Sequence, residues 1–477
     1  MGKPLTLAVF LAAVFFAACD DPGKSNDSGF AVTRVIAEGE STTRKLIIWF
    51  NEDIHGLKAD DIKLNAPFII LKHDFTRTAP AVYELGITPG AAGAVKVGLD
   101  PYNPAGWKWR AVTVEVSAVF HFTGTSAATL TAYDGEGGEL EIPEQIEGMY
   151  VTAVADNTFN NKSLTGVTIP GKVKTIGKLA FANNRLADVA IPDSVESVGD
   201  RAFFNNILTS VTVPDSVVSI GLLAFANNLL TSIVIPENVI SIGESAFSNN
   251  RLQSVDIPEK IEAIGYGLFL YNQLSSVAIP VNVTSIGNYA FAYNQLESVE
   301  IPGSVIIIGN RAFAYNLLPE LTFSEGLESI GNYAFAYNKL EAVWLPDSLK
   351  FLSEGAFDNN YLTEAEIPGN VKLIGRYAFS NNNLSDIKIG DGVTSIDAAA
   401  FMNNQLTAVV IPDSVVIIGD YAFRNNRLTS ITIGEGVTFG RDAFGNGFEA
   451  FYNANEKKAG YYTRPDIVST DWEFSEI

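Results

Sequence analysis

A single cysteine, Cys19, is the whole thiol content of this 477-residue chain, so no disulfide can form within it. Histidine is nearly as scarce: His55, His73 and His121 are scattered through the N-terminal third at spacings that match no metal site. Positive charge is also short. Against 54 acidic side chains stand 32 Lys and Arg, a net charge of −22, and a surface of that sign repels the phosphates of nucleic acid. One apolar run stands out, residues 5–16, and it is too short for an ordinary transmembrane helix. The chain has no G-x-S-x-G, H-E-x-x-H, phosphate-binding loop or dinucleotide fingerprint, so hydrolase, metalloprotease and nucleotide chemistry lose their motif support. No catalytic residue, metal or cofactor is expected.

What the chain does have is a period. Phenylalanines stand at 159, 181, 203, 225, 247, 269, 291, 313, 335, 357, 379, 401 and 423, each 22 residues after the last, and the heptapeptide NYAFAYN occurs at 288–294 and again at 332–338. A period kept this long is the mark of a solenoid. One unit reads L-x-x-V-x-I-P-x-x-V-x-x-I-G-x-x-A-F-x-N-N-x, as in Leu186, Val189, Ile191, Pro192, Val195, Val198, Gly199, Ala202, Phe203 and Asn206. The V-x-I alternation turns two side chains inward and predicts one short strand per coil, parallel to its neighbours. Pro192 and its equivalents lack the N–H that would extend the ladder and end the strand. Gly199 predicts a return turn that needs close backbone approach or a positive φ, and Phe203 plugs the core between layers. Asn206 and its equivalents lie at a turn, where stacked amides can bond backbone groups left unpaired. About fourteen coils at ~4.8 Å each predict a continuous stack.

This pattern resembles the Treponema-type, or BspA-like, leucine-rich repeats of bacterial surface proteins, whose unit is about one residue longer and carries Cys where this chain has Asn. The resemblance covers roughly residues 120–450. The chain departs from the pattern at Ser353 and Asp397, which replace the turn glycine, and at Phe323-Ser324, Ile389-Gly390 and Ile433-Gly434, where Ile-Pro is altered. Those coils are expected to be looser. The resemblance implies a non-enzymatic, adhesin-like surface protein that binds host proteins or other bacteria.

The N-terminus, MGKPLTLAVFLAAVFFAAC, resembles a lipoprotein signal peptide, which would make Cys19 a lipidated N-terminus in the bacterial envelope, on the outer membrane and exposed. Residues 20–29 then form a flexible polar tether. Residues 30–117 hold strand-like runs such as KLIIWF (45–50), FIILK (68–72), VYELGIT (82–88), AVKVGL (94–99) and AVTVEV (111–116), about seven short strands that resemble a bacterial Ig-like β-sandwich. The expected organisation is signal peptide and lipobox 1–19, tether 20–29, Ig-like domain 30–117, N-terminal cap 118–158, leucine-rich repeats 159–444 and C-terminal cap 445–477. The fold class is mainly β, a solenoid of 22-residue coils with parallel strands behind a small β-sandwich. DGEGGE (134–139) has oxygen ligands for calcium but lacks the register of a known loop, and is read as a cap turn.

Function is then sought on the outward positions, because a solenoid repeats its scaffold and varies its surface. The strand face collects Glu300, Glu320, Glu364, Glu366 and Asp386 around Trp344, the one tryptophan of the repeats. The pair Glu364 and Glu366 lacks the pocket that glycosidase chemistry requires. An exposed Trp is a candidate protein anchor, or simply a bulky strand residue. Tyr271, Tyr293, Tyr315 and Tyr337 take one turn position in four consecutive coils where the others have Asn. They are read either as a self-stabilising stack or as an aromatic rail for a host protein or glycan. The partner is expected to be a protein, a host matrix or plasma protein or another bacterium's surface. The competing expectation is a structural envelope lipoprotein without a host ligand.

Overall fold

The computed structural model describes residues 120–476 apart from 136, 147 and 446, and ahead of them the backbone of seven strands between residues 32 and 116. The apolar run, Cys19 and residues 20–29 lie outside the described residues. The chain divides into two compact units, Met1–Glu136 with Gln145–Tyr150, and Gly137–Glu144 with Val151–Ile477.

In the first unit the period-2 runs are strands: β1 (Val32–Glu38), β2 (Lys45–Phe50), β3 (Ile62–Asn65), β4 (Ile70–Ala79), β5 (Val82–Pro89), β6 (Gly93–Leu99) and β7 (Val112–Val116). They pair antiparallel throughout, in the order β1-β2-β5-β4 in one sheet and β3-β6-β7 in another. An antiparallel hairpin, Phe120–Thr123 with Ala128–Tyr133, follows them.

The second unit is the solenoid. Its Phe column, from Phe159 to Phe423, is fully buried, with successive rings stacked 5.1–5.8 Å apart. The V-x-I segments form the first ladder. In the early coils it is a row of single bridges (Thr168 to Ala190, Thr212, Val234 and Asp256), and from Ser276–Ala278 onward it widens into short parallel strands. Each proline that ends such a strand accepts the N–H three residues on, as Pro192 does from Val195 at 3.0 Å, which starts the turn away.

The expectation of one strand per coil is corrected to two. The segment before each turn glycine pairs with its neighbours as a second parallel ladder, from Thr175–Ile176 to Ser241–Ile242 and again from Ala263–Ile264 to Thr438–Phe439. Two residues are too few for a period-2 pattern to show in the sequence. The glycine itself needs proximity rather than a positive φ. A Cβ on Gly199 would stand 2.7 Å from the backbone carbon of Gly177 in the coil below. The positive φ values fall two and six residues later, on Arg201 (54°) and Asn205 (56°) in this coil, and on the equivalent pair in the others.

Asn206 is buried at the core edge. Its amide donates to the carbonyls of Phe181 (3.0 Å) and Phe203 (3.1 Å) and accepts the Leu186 N–H (3.1 Å), so it joins successive coils through their backbones. Asn228, Asn250, Asn272, Asn294, Asn316, Asn338, Asn360, Asn382 and Asn404 repeat this pattern.

The looser coils lie partly where the sequence suggested: the first ladder parts between Ser298–Glu300 and Glu320–Thr322, ahead of Phe323-Ser324, and between Asp386–Ile389 and Ala408–Val410, after Ile389-Gly390, whereas the turns of Ser353 and Asp397 hold. Ser353 N–H still reaches Ile330 O at 3.1 Å and Asp397 N–H reaches Ile374 O at 2.9 Å. Only the bridge from Phe323 to Ile301 spans the first of these gaps, while Ile389 and Ile433 complete four-residue strands, as Ile367 does ahead of Pro368. The second ladder has a break of its own, between Ile242 and Ile264. Gly243 N–H donates to Ile220 O (2.8 Å) and Gly287 N–H to Ile264 O (2.7 Å), but among the described residues the matching bond from Gly265 to Ile242 is absent. A Cβ on Gly265 would meet nothing nearer than 3.8 Å, and the Phe225–Phe247 and Phe247–Phe269 steps, both 5.8 Å, are the widest in the column. The cause is local. Leu268 stands where Ala246 and Ala290 stand in the adjacent coils, and Ile261 stands where they have Val239 and Val283, so extra volume in a close-packed stack displaces backbone.

After Phe444 the period stops. Helix α1 (Phe448–Ala454) lays Phe448 and Tyr452 against the last coils, and Gly460–Thr463 pairs antiparallel with Ser430–Ile433. Tyr452 hydroxyl donates to Gly434 O (2.6 Å) and accepts the Val437 N–H (3.3 Å), standing between two groups that bond directly in most other coils, and Arg464 Nε donates to Leu428 O (2.7 Å), a carbonyl that a further coil would otherwise cover.

Candidate interaction surface

The first ladder holds the outward strand residues in two columns. Trp344 is 54% exposed and lies in register between Thr322 and Glu366. Glu300, Glu320, Glu364 and Asp386 are exposed in the same ladder, and Glu364 pairs directly with Asp386, a contact between like charges. Glu366 is partly neutralised by an ion pair with Lys388, and this hydrogen bond holds the Lys388 ammonium above its ordinary range.

The tyrosine column lies at the turn that leads into this ladder, within the same coils but on another side of them. Tyr271, Tyr293, Tyr315 and Tyr337 stack with centroids 4.5, 4.4 and 4.4 Å apart and interplanar angles of 24°, 8° and 5°. All four have φ of 55–58°. Asn tolerates that conformation and fills the position in the flanking coils, whereas an aromatic residue there is held against its backbone preference. Stacking offsets that cost. Burial, and then the neighbouring phenols, push the hydroxyls of Tyr271, Tyr293 and Tyr315 above the ordinary phenol range.

Two features escaped the sequence. Beside the tyrosine column, Arg311 donates to Tyr289 Oη at 2.7 Å and sits over the rings of Tyr289 (5.6 Å) and Tyr333 (5.3 Å). The Tyr333 hydroxyl donates to Glu354 and is pushed up to about 12, by burial first and by that bond second. The signal was the residue two after the turn glycine, which is Tyr, Arg, Tyr in three consecutive coils. The second feature is the outer side of the second ladder, where Ile307, Phe351, Leu373 and Ile417 are exposed. Their signal was apolar residues at positions that hold Ser in most other coils.

Asp134, from the stretch considered for calcium, bonds His121, and Glu136 lies outside the described residues. Among the described residues no group of three or more His, Cys, Asp or Glu is placed to hold a metal, and no helix is long and apolar enough to cross a membrane. The side chains of His55 and His73 lie outside the described residues.

Three overlapping stretches, 152–274, 241–363 and 350–453, match the BspA type leucine rich repeat region, in six copies that together span well over half the chain. The chain belongs to the BspA-type leucine-rich repeat family. No curated protein matches it. Among solved structures it is similar to a leucine-rich repeat protein from Bacteroides ovatus, at 23% identity and a TM-score of 0.58 over 68% of this chain and 89% of that one. That likeness shows the fold. It is also similar to the pneumococcal vaccine antigen PcpA (20% identity, TM-score 0.40, 71% of this chain and 95% of that one). A leucine rich cell surface protein from Faecalibacterium prausnitzii gives 24% identity and a TM-score of 0.33 over 68% of this chain and 92% of that one. The repeats keep a monotonous interior, and their one tryptophan and most of their tyrosine stacking lie between residues 266 and 377.

Proposed function

We propose that this BspA-type protein is a lipid-anchored protein of the bacterial cell surface, held in the outer membrane through Cys19, that binds a protein ligand through its repeats and catalyses nothing. The observation that carries this reading is Trp344, 54% exposed on a ladder whose inward residues are apolar in every coil. Buried anchors of Trp and Tyr dominate protein interfaces, and a large ring held out into water has most to gain from a partner. Around it the acidic residues Glu300, Glu320, Glu364, Glu366 and Asp386 select a basic partner and speed its approach. The column Tyr271, Tyr293, Tyr315 and Tyr337 widens the adhesive surface at the turn. Seven antiparallel strands in a four-plus-three arrangement support an Ig-like domain over residues 30–117, which would lift the repeats from the membrane.

The test is a pull-down of host matrix and plasma proteins with residues 118–477, run beside residues 30–117, together with protease added to intact cells. Capture by the repeat fragment and cleavage on intact cells support the reading. Protection from protease, with no captured protein, points to the structural envelope lipoprotein without a host ligand.

A further inference from the structure

The tyrosine column has a chemical property separate from any partner. Among the described residues it is the place where phenols of successive coils meet in parallel and in contact with solvent. Tyr271, Tyr315 and Tyr337 are 47, 38 and 42% exposed, Tyr293 is half-buried, and neighbouring rings stand 4.4–4.5 Å apart. Other aromatic neighbours lack one of these conditions. The Phe column has no hydroxyls and is buried. Tyr266 and Tyr289 are tilted by 56° at 5.7 Å, Tyr289 and Tyr333 are separated by Arg311, and Tyr452 and Tyr462 are buried and tilted by 56°.

We propose that Tyr271, Tyr293, Tyr315 and Tyr337 form an oxidative modification site, at which a peroxidase using hydrogen peroxide joins neighbouring rings as dityrosine. Each of two adjacent phenols gives up one electron and its hydroxyl proton, leaving two phenoxyl radicals with spin density on the ortho carbons. Those carbons pair to form one C–C bond, and their two hydrogens shift to the oxygens, which restores both hydroxyls and both aromatic rings. The two electrons and two protons reduce one hydrogen peroxide to two waters. No leaving group other than the protons is needed.

The backbone prepares this encounter. Tyr271 N–H donates to Ala292 O (3.1 Å), Tyr293 to Ala314 O (2.9 Å), Tyr315 to Ala336 O (3.0 Å) and Tyr337 to Asp358 O (3.0 Å), so each phenol is pinned to the next coil at its root. Coupling then takes only side-chain rotation between partners already in place, which gives it the advantage of an intramolecular reaction over collision between molecules. In a solenoid each coil contacts only its neighbours, so a covalent tie between coils blocks unzipping at that step.

The test treats the full-length protein with a haem peroxidase and hydrogen peroxide, isolates the monomer, and maps cross-linked peptides by mass spectrometry alongside dityrosine fluorescence. The expected products join residues 271 to 293, 293 to 315 or 315 to 337. In the double variant Tyr293→Phe with Tyr315→Phe no column phenol keeps a phenol neighbour, and these products are lost, while Tyr361→Phe leaves them intact. If the double variant fails to fold, Tyr271→Phe alone should delete only the 271 to 293 product. No dityrosine in the parent, cross-links confined to exposed tyrosines such as Tyr150, Tyr361 and Tyr461, cross-links only between molecules, or undiminished yield in the variants would each overturn the proposal.

Discussion

The side-chain oxygen of Asn316 accepts the backbone N–H of Leu296 at 3.0 Å, across one coil boundary. The same amide donates to Phe291 O (2.9 Å) and Phe313 O (3.0 Å). Asn316→Ala leaves the Leu296 N–H buried without a partner, while Phe291 O and Phe313 O keep the amides of Asn294 (3.0 Å) and Asn338 (2.9 Å), so the expected loss is about 1–3 kcal/mol in denaturant unfolding. Asn316→Asp turns a carboxylate toward two carbonyls, which raises its pKa above the unfolded value. Its stability is then present below that value and lost as pH rises, and its deficit against the parent should shrink on acidification. An equal deficit at neutral and acid pH would mean that the carboxylate escapes to water.

At the break in the second ladder the usual sign of a core truncation is expected to weaken. A buried Leu→Ala change costs about 2–5 kcal/mol, but Leu268→Ala restores the Ala of the adjacent coils and lets Gly265 approach Ile242. The expected cost is below about 1 kcal/mol, with slower hydrogen exchange at the Gly265 amide. A full truncation penalty with unchanged exchange would show that Leu268 fills a gap rather than opens one.

Inward and outward positions should differ plainly. Phe291 is fully buried between Phe269 (5.6 Å) and Phe313 (5.2 Å), so Phe291→Ala should cost about 3–5 kcal/mol. Ser298 faces out from its strand, and Ser298→Ala should cost less than about 0.5 kcal/mol. Thermal or denaturant melts of the two variants are the measurement.

On the strand face, stability and binding should separate. Glu364→Lys exchanges a like-charge contact with Asp386 for an opposite one, a gain of about 0.2–1 kcal/mol in stability, while with Glu366→Lys it lowers the association rate for a basic ligand at low salt. Trp344→Ala should leave folding unchanged and cost roughly 2 kcal/mol of affinity. Binding kinetics at low and high salt against the captured ligand are the check. Unchanged binding by these variants, with binding abolished by substitutions in residues 30–117, would move the adhesive site to the first unit.

Alkaline pH should loosen the tyrosine-rich coils. The raised phenols of Tyr271, Tyr293 and Tyr315, and Tyr333 at about 12, favour the neutral form in the fold. Their contribution is complete below the ordinary phenol value of 10.0 and is lost as pH climbs through the folded values toward about 12. Stability measured stepwise over this range should fall less in Tyr333→Phe than in the parent.

The sequence by itself determined the period, the inward residues and the asparagines. A 22-residue repeat cannot bury its apolar letters except by stacking, and Phe203, Val189 and Asn206 each repeat at one place in the coil. It also exposed Trp344, since alternation on a strand assigns faces. Tertiary structure alone decided what depends on the neighbouring coil. Gly199 is held by the approach of Gly177, a distance no single repeat encodes, and the second ladder exists because two-residue segments find partners 22 residues away. The break at Gly265 falls in the coil where Leu268 is buried at the position that holds Ala in the coils on either side. Arg311 likewise gains its place only between Tyr289 and Tyr333, because contacts across a solenoid join residues one period apart rather than neighbours in the chain.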